Sequence, residues 1–187
     1  MPDSASAHFN LATALERAGA FDDATSHYAR AVALKPDYAS ARVNLGNMRL
    51  RQGRIDEAAA EYEAALAVAP GDFSAHNNLG RVRLNQGRPS AAAPHLNAAI
   101  RIKPRDAEVQ FNMAELLITT GRLPEAVVHY REAIALRPQW TPAVVGLSFI
   151  LSSSPLEALR APDEALRLAL EAVTQTGRRD PTALDAL

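Results

Sequence analysis

The chain has 187 residues, a formal net charge of −1 and no cysteine. The near-neutral balance argues against a nucleic-acid binder, which carries a basic excess. The missing cysteine removes disulfide scaffolds, cysteine zinc sites and thiol chemistry. Hydrophobic residues make up 48% of the chain but aromatics only 5%, so a core has to be built from Ala, Leu, Val and Ile, with Ala the strongest helix former.

The N-terminal MPDSASAHFN has neither the basic nor the apolar stretch of a signal peptide. No apolar run reaches the about 18 residues of a membrane span, so no membrane insertion is expected, and a cytoplasmic location is. The first predicted helix runs from about Ser6 to Ala18, stopped by Gly19, which supplies a left-handed residue. A second starts at Phe21-Asp22-Asp23, its acids at the electropositive helix end, and runs to about Leu34 before Pro36. The pattern then returns with a period of 34 residues: Asn10 recurs as Asn44, Asn78 and Asn112, Gly19 as Gly53, Gly87 and Gly121, and Pro36 as Pro70, Pro104 and Pro138. A fixed period of this size signals stacked helical units. The third unit turns at Gly87-Arg88-Pro89-Ser90, and its Pro94 lies inside a helix, where a small kink is expected. The fourth turns at Gly121-Arg122-Leu123-Pro124. The fifth has a helix over about Pro142–Ser152, a loop about five residues longer than the others, and a helix resuming at Asp163 and ending near Gly177. Pro181–Leu187 would open a sixth.

With positions numbered 1 to 34 from Ala5, Ala39, Phe73 and Ala107, the second unit carries Leu45, Gly46, Ala58, Tyr62, Ala65 and Pro70 at positions 7, 8, 20, 24, 27 and 32. The other units match with Leu11, Ala12, Ala24 and Tyr28, with Leu79, Gly80, Ala92 and Leu96, and with Met113, Ala114, Ala126 and Tyr130. The chain thereby resembles the tetratricopeptide repeat (TPR) family. It departs at position 4, where His8, Arg42, His76 and Gln110 replace the family's usual Trp, and at position 11, where Arg49 and Arg83 stand. The resemblance implies an all-α, right-handed solenoid of antiparallel helix pairs, with units at 5–38, 39–72, 73–106 and 107–140, a divergent fifth at 141–180, and the start of a truncated or capping helix at 181–187. Both ends look cut from a longer array. The long fifth loop is similar to the closing segment of some bacterial arrays.

The resemblance also places the first helix of each pair on a concave face. Positions 2, 6, 9 and 13 share one helical stripe, and here that stripe is polar. It holds Ser6, Asn10, Thr13 and Arg17, then Ser40, Asn44, Asn47 and Arg51, then Ser74, Asn78, Arg81 and Asn85, then Glu108, Asn112, Glu115 and Thr119. A carboxamide matches a peptide group's donor and acceptor. Packed helices lie about 8–10 Å apart and an extended chain advances about 3.1–3.3 Å per residue, so one Asn per unit meets about every third peptide group. Asn10, Asn44, Asn78 and Asn112 therefore form a candidate ladder for an extended peptide, similar to that in the TPR region of O-linked N-acetylglucosamine transferase. Asn47, Arg17, Arg51, Arg81, Asn85, Glu108 and Glu115 would add selectivity. The same asparagines also belong to the TPR consensus, where they satisfy local backbone or solvent. A clamp for a C-terminal carboxylate is not expected, because Ser6, Ser40 and Ser74 occupy a position that needs a cation.

Catalytic motifs are missing: the sequence has no GxxxxGK[ST], GxGxxG or GxSxG. Equivalent histidines stand a full repeat apart, too far to share a metal held at about 2.1 Å. His8 with His27, or His76 with His95, could meet within a unit. The expected function is a non-catalytic protein-interaction scaffold without cofactor or metal. Two alternatives are self-association through exposed terminal helices or the groove, as a homo-oligomer, and a substrate-selecting accessory region of a larger enzyme such as a glycosyltransferase.

Overall fold

The computed structural model describes residues 4–175; the expected sixth helix at 181–187 and the end of the last helix near Gly177 lie outside them. Within the described residues every regular element is helical. The chain divides into two compact units, Met1–Gln86 and Gly87–Leu187.

The first unit holds α1 (Ala5–Arg17), α2 (Phe21–Leu34), α3 (Ala39–Arg51), α4 (Ile55–Val68) and α5 (Phe73–Asn85). α1 pairs with α2 and α3 with α4, and α2 packs on α3 and α4 on α5. Gly19 and Gly53 stop α1 and α3 at φ of 81° and 74°, conformations that cost a residue with a side chain about 1–2 kcal/mol. The turns are cross-tied: Gln52, after α3, donates to Asp22 Oδ1 at 3.2 Å, and Gln86, after α5, donates to Asp56 Oδ1 at 2.8 Å. The acids that open α2 and α4 thus also tie down the turn that follows the next helix. The core alternates small and large residues: one cluster gathers Ala12, Ala24, Tyr28, Leu45 and Met48, another Ala58, Tyr62, Ala65, Leu79 and Val82.

The second unit holds α6 (Pro89–Ile102), α7 (Ala107–Thr119), α8 (Leu123–Leu136), α9 (Thr141–Ser153), a 3-10 turn (Glu157–Leu159) and α10 (Pro162–Gln175). α7 pairs with α8 and α9 with α10, while α6 packs on α7 and α8 on α9. α6 runs unbroken through Pro94. The side chains of Asp72 and Asp106 cap α5 and α7, accepting from Ala75 N at 2.8 Å and from Glu108 N and Val109 N at 3.0 and 3.2 Å.

Three of the four departures at position 4 have a common explanation. Arg42 Nε donates to Pro36 O at 2.8 Å, His76 Nε2 lies 2.9 Å from Pro70 O, and Gln110 Nε2 donates to Pro104 O at 2.6 Å. Each polar side chain reaches back six residues to the carbonyl of the proline that ended the preceding helix pair. A carbonyl in such a turn lacks a helical partner and needs one.

Candidate functional site

The polar stripe is built into the walls of the hairpins by hydrogen bonds to tyrosine. In the first unit Tyr28 is fully buried, and its hydroxyl donates to Glu16 Oε2 at 2.8 Å, lies 3.1 Å from Thr13 Oγ1, and accepts from Asn44 Nδ2 at 3.1 Å. One helix pair on, buried Tyr62 donates to Asn47 Oδ1 at 2.8 Å, and Asn78 Nδ2 donates to the same oxygen at 2.9 Å. In both cases position 9 of one helix pair and position 6 of the next converge on the tyrosine at position 24. Asn44 and Asn78 are half-buried and Asn10 is exposed. Asn44 engages one amide N–H in this way and keeps its Oδ1 and second N–H.

Arg17, Arg51 and Arg81 are exposed. Arg51 lies over the Phe21 ring at 3.8 Å, a cation–π contact. Other arginines of this unit carry ion pairs: Arg42 with Glu61, Arg49 and Arg54 with Glu57, and Arg83 with Glu63. Asn85 is exposed at the end of α5. His8 and His27 meet, with Nδ1 atoms 2.8 Å apart and stacked rings.

In the second unit Asn112 is buried, with 3% of its surface exposed. Glu115 accepts from the hydroxyl of Tyr130, and Glu108 lies 3.9 Å from Arg137. α9 has no asparagine at position 6. Gly146 stands there, and a Cβ on it would come within 2.6 Å of the Tyr130 ring and hydroxyl. His129 bonds Gln110 at 2.6 Å and is held below the ordinary histidine range mainly by burial. Among the described residues no group of three or more His, Cys, Asp or Glu could hold a metal, and no helix is long and apolar enough to cross a membrane.

Burial sets the ionisation of the tyrosines. Tyr62 is pushed up to about 12, against the opposing pull of the Arg81 charge and the Asn78 amide. Tyr28 is raised, chiefly by burial, and Tyr130 is raised by burial and the adjacent Glu115 carboxylate. Unfolded tyrosine ionises near 10. Above that pH the unfolded state loses protons that the folded state keeps, so stability falls with pH. We expect stability unchanged by these groups below pH 10 and lost progressively from pH 10 to 12. Denaturant midpoints at pH 9, 10.5 and 11.5 in a Tyr38→Phe background, which leaves only the three buried tyrosines, with phenolate absorbance rising only as the helices melt, check this. Early phenolate absorbance from that variant while still folded would contradict it.

The sequence alone missed the tyrosine–asparagine junctions. The signal was there, in a position-6 asparagine following each of Tyr28 and Tyr62.

Two tetratricopeptide-repeat family models match the chain, one over residues 43–107 and 77–139 and another over 5–38. No curated protein matches it in sequence. Among solved structures, the chain is similar to MamA from Desulfovibrio magneticus RS-1 (18% identity, 96% of this chain and 99% of that one, TM-score 0.78). It is similar to YrrB, described as a TPR protein with an unusual peptide-binding site (22% identity, 98% and 92%, TM-score 0.74). It is also similar to Pseudomonas aeruginosa PilF (21% identity, 98% and 81%, TM-score 0.83). At these identities the likeness is one of fold.

Proposed function

Because the chain belongs to the tetratricopeptide repeat family, whose members typically serve as protein-interaction scaffolds, we propose that it binds an extended segment of a protein partner along the polar stripe of its first-in-pair helices, without catalysis. The observation that carries this is the fixed presentation of half-exposed amides. Asn44 and Asn78 are each held by a hydrogen bond to a neighbouring helix pair, leaving further donor and acceptor capacity toward solvent. A side chain already held in place loses less rotamer freedom on binding. Main-chain recognition of this kind tolerates partner sequence, and exposed Arg17, Arg51 and Arg81 add a preference for acidic stretches beside it. YrrB, with its described peptide-binding site, supports the assignment by analogy of fold.

The double replacement Asn44→Ala, Asn78→Ala tests the reading. A captured partner segment is expected to bind about 1–3 kcal/mol more weakly, measured by titration calorimetry against wild type. Tyr28 keeps Glu16 and Thr13 as partners, so the fold survives the change at Asn44. Unchanged affinity would remove the asparagines from the site.

A second reading, self-association, is favoured by one observation. At position 7, Leu45, Leu79, Met113 and Leu147 are all at most 8% exposed, whereas Leu11 is 46% exposed. α1 thus turns outward the face that in α3 and α9 packs on a preceding helix pair, and such a face attracts another. Light scattering across concentration is expected to show association that Leu11→Glu abolishes; a monomer at all concentrations would reject it.

A further inference from the structure

The polar stripe changes character in the last helix pair. Counted from Thr141, positions 2, 6, 9 and 13 of α9 are Pro142, Gly146, Phe149 and Ser153. Phe149 is 62% exposed, at the register position that carries Thr13, Asn47 and Glu115 elsewhere. Phe149 and Ser153 form part of the wall of a half-open cavity of about 300 Å³, completed by Ile118 of α7, Leu123 of α8, Ile150 and Pro155. Ser154 and Pro155, at the start of the long loop, line one side of it. Position 15, where Gly19, Gly53 and Gly121 turn the chain directly into the next helix, is Pro155 here. The loop is tied in place by Arg160 Nε donating to Ser154 O at 2.9 Å and by Ala161 N donating to Leu151 O at 3.0 Å.

Two further facts fix what the cavity accepts. Its lining is almost wholly carbon, and each of its two hydroxyls already carries one hydrogen bond within the chain: Ser153 Oγ donates to Phe149 O at 2.7 Å, and Ser154 Oγ accepts from Leu156 N at 3.2 Å. The lining therefore favours an apolar occupant, and a polar one would lose its water without replacement. The nearest charge on the stripe is Glu115, one helical turn before Ile118, half-buried and bonded through only one carboxylate oxygen. The volume is at the low end of the about 300–1,000 Å³ of ligand pockets, a fit for one side chain.

From this we infer that the cavity is an anchor site for a single large apolar side chain of a partner segment, leucine or larger, next to a basic residue that faces Glu115. This rests on the reading that the stripe carries an extended segment. It adds selectivity for the partner's side chains to recognition that is otherwise of the main chain.

Three labelled nonapeptides of glycine and serine test it, carrying Lys-Leu, Lys-Ala or Glu-Leu at the centre, followed by fluorescence anisotropy. Lys-Leu is expected to bind at least about tenfold tighter than Lys-Ala, and tighter than Glu-Leu, with methyl NMR shifts at Ile118, Leu123 and Ile150. Ser153→Trp, which fills the cavity from an exposed position, and Phe149→Ala, which removes a wall, are each expected to erase the Leu-over-Ala preference while the melting temperature holds. Glu115→Gln is expected to erase the Lys-over-Glu preference. Equal binding of the Leu and Ala peptides, preference intact in both cavity variants, or no binding of any peptide up to about 1 mM would overturn the anchor. The two readings fail separately: a partner segment that binds more weakly to the asparagine double variant, with no Leu-over-Ala preference among these peptides, sinks the anchor alone, and an intact Leu preference here with unchanged affinity of that segment sinks the ladder alone.

Discussion

Tyr62→Ala is expected to destabilise the first unit by about 3–5 kcal/mol, the range for deleting a buried aromatic side chain, and Tyr62→Phe by only about 1 kcal/mol. The ring is fully buried among Ala58, Ala65, Leu79 and Val82, on α4 and α5. Half of those neighbours are alanines, which cannot extend into the hole. The hydroxyl is a smaller matter. It donates to Asn47 Oδ1, which also accepts from Asn78, so removing it leaves that oxygen one donor and strands nothing. Denaturant titration followed by circular dichroism separates the two terms. Similar losses for Ala and Phe would mean that the polar junction, not packing, holds α4 to α5. A loss under about 1 kcal/mol for Tyr62→Ala would mean the ring is not a core residue at all.

The fold was legible because its signals repeat. Gly19, Gly53 and Gly121 mark helix ends by backbone geometry that few other residues adopt, Pro36 and Pro70 mark the ends of pairs, and alanine at positions 20 and 27 marks close helix approach. None of these depends on distant contacts. The stripe was legible as a set of exposed polar positions, and its register could be counted. What the stripe residues bond to was not legible, because that depends on which side chains from successive helices converge. Asn44 and Asn78 share a register position but have different partners, Tyr28 in one case and Asn47 in the other. Asn112 shares it too and is buried. Position 4 shows the same limit. His76, Arg42 and Gln110 have little in common chemically except a donor at the end of a side chain long enough to reach a carbonyl six residues back. The fifth helix pair was counted as divergent from its loop alone. The exchange of a polar stripe for Gly146 and Phe149 follows only when the register is carried onto α9.

Gly46→Val is expected to cost about 3 kcal/mol, by overpacking. Backbone conformation is not the reason. Gly46 lies within α3 and is not among the positive-φ glycines, and valine has a higher helix propensity than glycine. The reason is contact: a Cβ at Gly46 would lie 2.6 Å from Tyr62 Cε1 and 3.0 Å from Cδ1 and Cζ, and valine adds two methyls beyond that. The ring is walled in and cannot swing away without disturbing α5. Alanine at the same site is expected to cost less, about 1 kcal/mol, since the equivalent residue in the first helix pair is Ala12, buried in one cluster with Tyr28. The same contact makes a further outcome testable. Valine's methyls lie in the space that Tyr62→Ala empties, so Gly46→Val and Tyr62→Ala together are expected to cost about 1–3 kcal/mol less than their sum. Strict additivity in denaturant midpoints would show that the glycine and the ring act on stability independently. Position 8 would then be small for a reason other than the tyrosine facing it.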